Sequence, residues 1–254
     1  INNVFLMPEN STSYISTGIE AHGVNCLVQG NLLDGYGAPF LGASTERNRR
    51  DEITFVSNIA KRAQIGIAYN SMFGTLKLNF IGNTVNLRKE KASNADGNVR
   101  YAHGAIESGG AINSIGDPIN SWTEIYVLNN TFEQEEPTDW TDADKYINIC
   151  HSIKEAKILV SKGNTFKNFK GGALNVSYHR NFLGATHELS GNTYIGCGSS
   201  TAQNAYQAAY RLEGLPFLNE GGVDYNLLDK ITIYNETFNS CGYGAILGRQ
   251  DDLT

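Results

Sequence analysis

The sequence predicts an all-β chain folded as a right-handed parallel β-helix, a solenoid of about seven coils with loop insertions on one side. Three observations predict it. A tetrapeptide built on Asn-Thr recurs along the chain, an alternating apolar strand precedes its copies, and a Gly-apolar pair opens another strand after it.

The tetrapeptide is seen as Gly82-Asn83-Thr84-Val85, Asn129-Asn130-Thr131-Phe132, Gly163-Asn164-Thr165-Phe166, Gly191-Asn192-Thr193-Tyr194 and Asn235-Glu236-Thr237-Phe238. Degenerate copies stand at Gly30-Asn31-Leu32-Leu33 and Ser57-Asn58-Ile59-Ala60. The second positions are 31, 58, 83, 130, 164, 192 and 236, at spacings of 27, 25, 47, 34, 28 and 44 residues. The short spacings fit one coil, and the long ones fit one coil plus an insertion. Helical repeats of this length would show apolar residues at i, i+3 and i+4, which these units lack.

Alternating strands precede the motif at 53–56, 76–80, 125–128, 158–160 and 231–234. The Gly-apolar pairs are Gly37-Ala38, Gly66-Ile67, Gly110-Ala111, Gly172-Ala173 and Gly244-Ala245. Stacked strands lie ~4.8 Å apart, so equivalent residues sit above one another. A buried Asn column can then chain its amides. Phe132, Phe166, Tyr194 and Phe238 are expected to point inward as an aromatic ladder.

Composition agrees. Charged residues are 18% of the chain and glycines number 27, which favours turns and strands. The net charge is −6. Nucleic acid as a partner would need a basic face, and the one basic cluster, Arg47, Arg49 and Arg50, runs straight into Asp51 and Glu52 and reads as a solvated turn. Apolar runs fall short of the ~20 residues of a membrane helix, so no membrane insertion is expected. Residues 1–254 read as a single β-helix domain. The chain opens Ile1-Asn2-Asn3 without Met, so it is expected to be a piece of a longer one.

Gly163-Asn164-Thr165-Phe166 and Gly171-Gly172-Ala173-Leu174 carry a resemblance that covers nearly the whole chain. The repeat resembles the pectate-lyase-like right-handed parallel β-helix superfamily. That group includes polysaccharide lyases, glycoside hydrolases, bacteriophage tailspikes and non-enzymatic adhesins. The resemblance implies a polysaccharide partner, an extracellular or virion-surface location and association as a homotrimer. No complete catalytic motif of any one member is matched here.

Insertions at 88–106, 133–146 and 198–221 fall between the motif and the Gly-apolar strand, and the copy at 164–174 has none. Insertions at one repeat position should project from one face. Two walls with a low floor would make a cleft for an extended glycan. Glu107, Asp139 and Asp142 are the candidate acid–base carboxylates, with Arg211 as a positioning cation. Trp140, Tyr206 and Tyr210 are candidate sugar-stacking rings. Lys170, His179 and Arg180 are candidate substrate-binding groups, and with Arg211 they would serve a lyase instead. Residues 202–212 could equally be a short helix packing Tyr206 and Tyr210 on the rod. The acidic run 133–144 reads first as a solvated loop; its clustered oxygens also suit Ca²⁺, although their spacing does not follow an EF-hand. No other cofactor is expected. Three functions stay open: glycoside hydrolase, polysaccharide lyase, and a non-catalytic glycan-binding or structural β-helix.

Cys197 and Cys241 share a repeat position, three residues after the aromatic. With Cys26 and Cys150 they read as small buried residues rather than a disulfide, and no Cys/His spacing suits a metal.

Overall fold

The computed structural model describes residues 1–8, 16–44, 49–71, 75–89, 92–93, 99–100, 104–108, 123–135, 153–154, 156–170, 172–177, 185–198, 208–213, 218–220, 223–225 and 228–247. These residues form an all-β chain of long parallel sheets, an arrangement consistent with a parallel β-helix.

One sheet has eight strands, in the order Val4–Leu6, Leu32–Asp34, Ile59–Ala63, Thr84–Leu87, Thr131–Gln134, Thr165–Lys167, Thr193–Ile195 and Thr237–Asn239. A second has seven: Cys26–Gln29, Arg50–Val56, Thr75–Ile81, Thr123–Leu128, Ala156–Lys162, Ala185–Ser190 and Leu228–Tyr234. The remaining long strands form two sheets of four: Thr17–His22, Ala38–Ser44, Ile65–Ser71 and Gly104–Ser108, then Ile153–Lys154, Leu174–Ser177, Ala208–Glu213 and Tyr243–Leu247. Pairing within all four is parallel. The chain passes from the seven-stranded sheet to the eight-stranded sheet to a four-stranded one, then repeats the order.

Backbone geometry explains the motif. The residue before each ladder Asn or its equivalent lies in the left-handed region: Asn2 (φ 56), Gly30 (67), Ser57 (54), Gly82 (61), Asn129 (57), Gly163 (65), Gly191 (63) and Asn235 (56). Gly and Asn tolerate that region best, which is why the motif's first position alternates between them. The bend turns the chain from the seven-stranded sheet into the eight-stranded one.

The second position is a hydrogen-bonded column. Asn31 N–H and its Nδ2 both donate to Asn58 Oδ1, each at 2.9 Å. Asn58 donates likewise to Asn83, Asn83 to Asn130, Asn130 to Asn164 and Asn164 to Asn192. The second amide hydrogen goes to a main-chain carbonyl: Asn130 Nδ2 to Phe80 O at 2.8 Å, Asn164 Nδ2 to Val127 O at 2.7 Å. Each of these amides is thereby satisfied although nearly excluded from water.

The column extends one repeat further towards the N-terminus than the Asn-Thr pattern predicts. Asn3 N–H and Nδ2 donate to Asn31 Oδ1, which adds an eighth strand, Val4–Leu6, to the sheet. Asn2-Asn3-Val4-Phe5 lacks the Thr that marks most other copies.

Fourth-position side chains form the ladder. Phe132 and Phe166 stack with centroids 5.3 Å apart and planes 4° from parallel. Phe166 stacks on Tyr194 at 5.3 Å and Tyr194 on Phe238 at 5.0 Å. Phe132, Phe166 and Tyr194 are fully buried. Each buried ring contributes ~1.5–3 kcal/mol by area, and each pair ~0.5–1.5 more. A second cluster joins Phe40, Phe55 and Phe80 across sheets.

Two further expectations change. Gly110-Ala111 lies outside the described residues, and the strand of that repeat is Gly104–Ser108. Gly66 shows why glycine begins this strand: a Cβ there would strike the Ala105 carbonyl oxygen of the next strand. The expected basic turn is instead the start of strand Arg50–Val56; Arg49 pairs with the buried Asp51 at 2.6 Å, and Arg50 with Glu124 at 3.2 Å.

Candidate functional site

The C-terminal ends of the eight-stranded sheet's strands stand in register: Leu87 with Gln134, Glu133 with Lys167, Lys167 with Ile195, Ile195 with Asn239. The chain leaves from this edge to reach the four-stranded sheets. At 168–173 the crossing is short, closed by Gly172 N–H to Phe169 O at 2.9 Å, with Phe169 buried beneath it. Sixteen residues, 88–103, separate Leu87 from Gly104, and 18 residues, 135–152, separate Gln134 from Ile153.

Polar groups along the edge are engaged with one another. Arg62 Nε pairs with Asp34 at 2.6 Å. Arg88 is buried and donates to Arg62 O at 2.9 Å and Gly35 O at 3.1 Å, tying neighbouring crossings together. Gln134 Nε2 donates to Arg88 O at 2.9 Å. Lys167 and Glu133 stand 3.7 Å apart and half exposed, a pair worth little in water. Lys170 is half-buried on the short crossing, its ammonium over Gly196.

The predicted site residues fare unevenly. Asp139, Trp140, Asp142, His179, Arg180 and Tyr206 lie outside the described residues. Glu107 lies on strand Gly104–Ser108, in register with Ala68, and Arg211 on Ala208–Glu213, in register with Asn175 and Ile246; their side chains are outside the description. Those two strands belong to separate four-stranded sheets; the strands that precede them in the eight-stranded sheet, Thr84–Leu87 and Thr193–Ile195, are three steps apart, ~14 Å at the usual spacing.

Tyr210 is a correction. It is 1% exposed, in register with Leu174, and belongs to the core. The segment 198–221 is therefore not one insertion: the core strand Ala208–Glu213 divides it. The part after that strand, with the antiparallel pair Leu218–Glu220 and Val223–Tyr225, connects to the seven-stranded sheet and leaves from a different edge.

Chemistry that the repeat pattern does not signal lies elsewhere. On the seven-stranded sheet, Lys77 Nζ meets Glu52 Oε1 at 2.7 Å and lies 5.8 Å from the Tyr126 ring centroid. That hydrogen bond from Lys77 holds the Glu52 carboxyl below its ordinary range. Tyr234 donates to Glu188 at 2.7 Å on the same sheet. Glu236 occupies the Asn position in the last repeat and accepts from Asn192 N–H and Nδ2, each at 3.0 Å. Burial pushes its carboxyl up, against those bonds, and also pushes up the nearby phenols of Tyr194 and Tyr210. A one-residue substitution in the repeat was the available signal for Glu236. For the sheet face there was none, because its residues are outward neighbours only once register is known.

Among the described residues no group of His, Cys, Asp and Glu could hold a metal ion, and no helix is long and apolar enough to cross a membrane. No family model, no curated protein and no solved structure matches this chain.

Proposed function

We propose that the chain is a right-handed parallel β-helix of the pectate-lyase-like kind that binds an extracellular or cell-surface polysaccharide and cleaves it by hydrolysis, as a tailspike-like depolymerase does. The observation that carries the reading is the aligned edge. Long crossings at 88–103 and 135–152 start from stacked positions, and the crossing at 168–173 is short. Long segments beside a short one along an aligned edge are the arrangement that a groove for an extended chain requires. Residues 139–144 supply Asp139, Trp140, Asp142 and Asp144, carboxylates and a ring of the kinds that hydrolysis and sugar stacking use. Glu107 is the partner acid and Arg211 the positioning cation. Lys170 lies on the floor, and Ca²⁺ is the cofactor this acidic segment would accept.

A second reading, a non-catalytic glycan-binding or structural β-helix, is favoured by one observation. Asp34, Asp51, Glu52, Glu124 and Glu133 all sit in ion pairs, which occupy carboxylate oxygens that a catalytic acid or base would turn to its substrate. Incubation with a glycan panel separates the readings. Hydrolysis gives new reducing ends without the ultraviolet absorbance of an unsaturated uronate. A lyase gives both, and a binder gives retention on the glycan with neither. Asp139→Asn and Glu107→Gln should each lower hydrolysis at least ~100-fold while glycan retention stays. Full activity in both variants overturns the assignment of those residues.

A further inference from the structure

The last two repeats bring two thiols together. The register Thr193↔Thr237, Tyr194↔Phe238, Ile195↔Asn239 continues past the strands, with Gly196 N–H donating to Asn239 O at 2.9 Å and Gly242 N–H to Cys197 O at 3.2 Å. Cys197 and Cys241 are therefore stacked partners. Their sulfurs occupy the same niche one step apart. Cys197 Sγ lies 3.4 Å from Phe166 O and 3.6 Å from Ile195 O, and Cys241 Sγ 3.5 Å from Tyr194 O and 3.6 Å from Asn239 O, so each thiol has two carbonyl oxygens within reach. A step of ~4.8 Å lies within the Cα separations that a disulfide spans, ~4.4–6.8 Å.

The two thiols differ in access. Cys197 is fully buried, and Cys241 is partly open to solvent. Both are free thiols, as is Cys26; Cys150 lies outside the described residues.

We propose that Cys197 and Cys241 form a thiol-exchange site that takes a small-molecule disulfide at Cys241 and closes to a Cys197–Cys241 bridge across the last two repeats. The Cys241 thiolate attacks one sulfur of the disulfide RSSR, forming Cys241–S–SR and expelling RS⁻. Cys197 gives its proton to that leaving thiolate and attacks the Cys241 sulfur, expelling the second RS⁻, which takes up the proton released when Cys241 ionised. Two protein thiols are oxidised and RSSR is reduced to two RSH.

The surroundings divide the roles. Hydrogen bonding from Cys197 pushes the Cys241 thiol down, with a smaller contribution from the Lys170 charge, and burial pushes Cys197 up. A thiolate-prone sulfur at the surface and a protonated one behind it are the arrangement of an attacking and a resolving cysteine.

The test uses the full chain, oxidised glutathione as probe, intact-mass measurement and a non-reducing peptide map. The parent chain should lose the Cys197 and Cys241 thiols, retain no glutathione on either, and yield a cross-linked pair of peptides that dithiothreitol separates. Cys241 should react at least ~10-fold faster than Cys26. In Cys197→Ser the reaction should stop at glutathione bound to Cys241. The cross-link is measured in the parent itself, so poor folding of the variant leaves that measurement intact. Stable glutathione on Cys241 of the parent without a cross-link overturns the proposal, and so does Cys241 reacting no faster than Cys26.

Discussion

Phe166 and Phe238 occupy one column of one sheet, in the same motif, with Tyr194 stacked between them at 5.3 and 5.0 Å. Phe166 is fully buried, whereas Phe238 is 39% exposed. The flanking residues shift in the same direction: Thr165 and Lys167 are half-buried, Thr237 and Asn239 exposed. The sequence of a repeat thus decides where each residue goes, while the repeats on either side decide how much stability it contributes. An identical substitution should cost more at the fully buried ring than at the 39% exposed one.

The largest expected effect tests that directly. Phe166→Ala should destabilise by ~3–5 kcal/mol, because it opens a cavity between Phe132 and Tyr194. Phe238→Ala should cost ~1–2 kcal/mol, since much of that ring already meets water. Urea unfolding of both variants gives the ratio, and equal losses would break the comparison.

The Asn column gives the next contrast. Asn130→Ala strands Asn83 N–H, Asn83 Nδ2 and the Phe80 carbonyl, for a loss of ~3–4 kcal/mol in the same assay. At Glu236 the acceptor role suffices for Asn192, and ionisation in a half-buried place is unfavourable. A carboxyl raised above its unfolded value stabilises below the unfolded value of 4.5 and loses that contribution as the pH climbs through its folded value. Glu236→Gln should therefore be more stable than the parent at pH 7, with the difference closing as the pH falls towards 4.5. A parent that outlasts Glu236→Gln at pH 7 would contradict this.

His187 sharpens the picture within one register. It pairs with Leu159 and Ile231, and burial pushes its imidazole down to about 4 from 6.5. A depressed folded value means stability is complete above 6.5 and lost as the pH falls towards 4. The loss over that window should be ~3 kcal/mol. His187→Leu should flatten the stability profile there, and an unchanged slope would assign it to other groups.

Ser57 is the smallest effect. It holds φ 54 where most other repeats use glycine or asparagine. Ser57→Gly should raise stability by ~0.5–1 kcal/mol, measured by thermal unfolding, whereas Gly82→Ser should lower it.

Those particulars show what was legible. The Asn and aromatic columns could be read because the same physical demand returns in each repeat, so local letters recur. Asn3 escaped because its copy has Val where most others have Thr, and strand Ala208–Glu213 because Ala208-Ala209-Tyr210 carries no opening glycine. Tyr210 then read equally as a sugar-stacking ring or as a ring packed on the rod by a short helix, whereas it lies on a strand whose neighbours Leu174 and Ala209 are core. The candidate carboxylates had no comparable support. Segments between strands face no repeated neighbour, so nothing in their spacing ties one side chain to another.

The Asn column also has a direction. Along the column, each Asn sends its main-chain N–H and one amide hydrogen to the Asn oxygen of the following repeat and turns its own oxygen to the preceding one. The side-chain dipoles align head to tail, and Asn192 donates in turn to the Glu236 carboxylate. Any unit that begins with a left-handed residue and an Asn can be spliced into this line, or cut from it, without reversing a single donor. Excising residues 164–191 would leave Asn130 facing Asn192, an oxygen ready for its two hydrogens. Growth by duplication is written into such a column, and so is the rule that a copy pasted in the opposite orientation has no place in it.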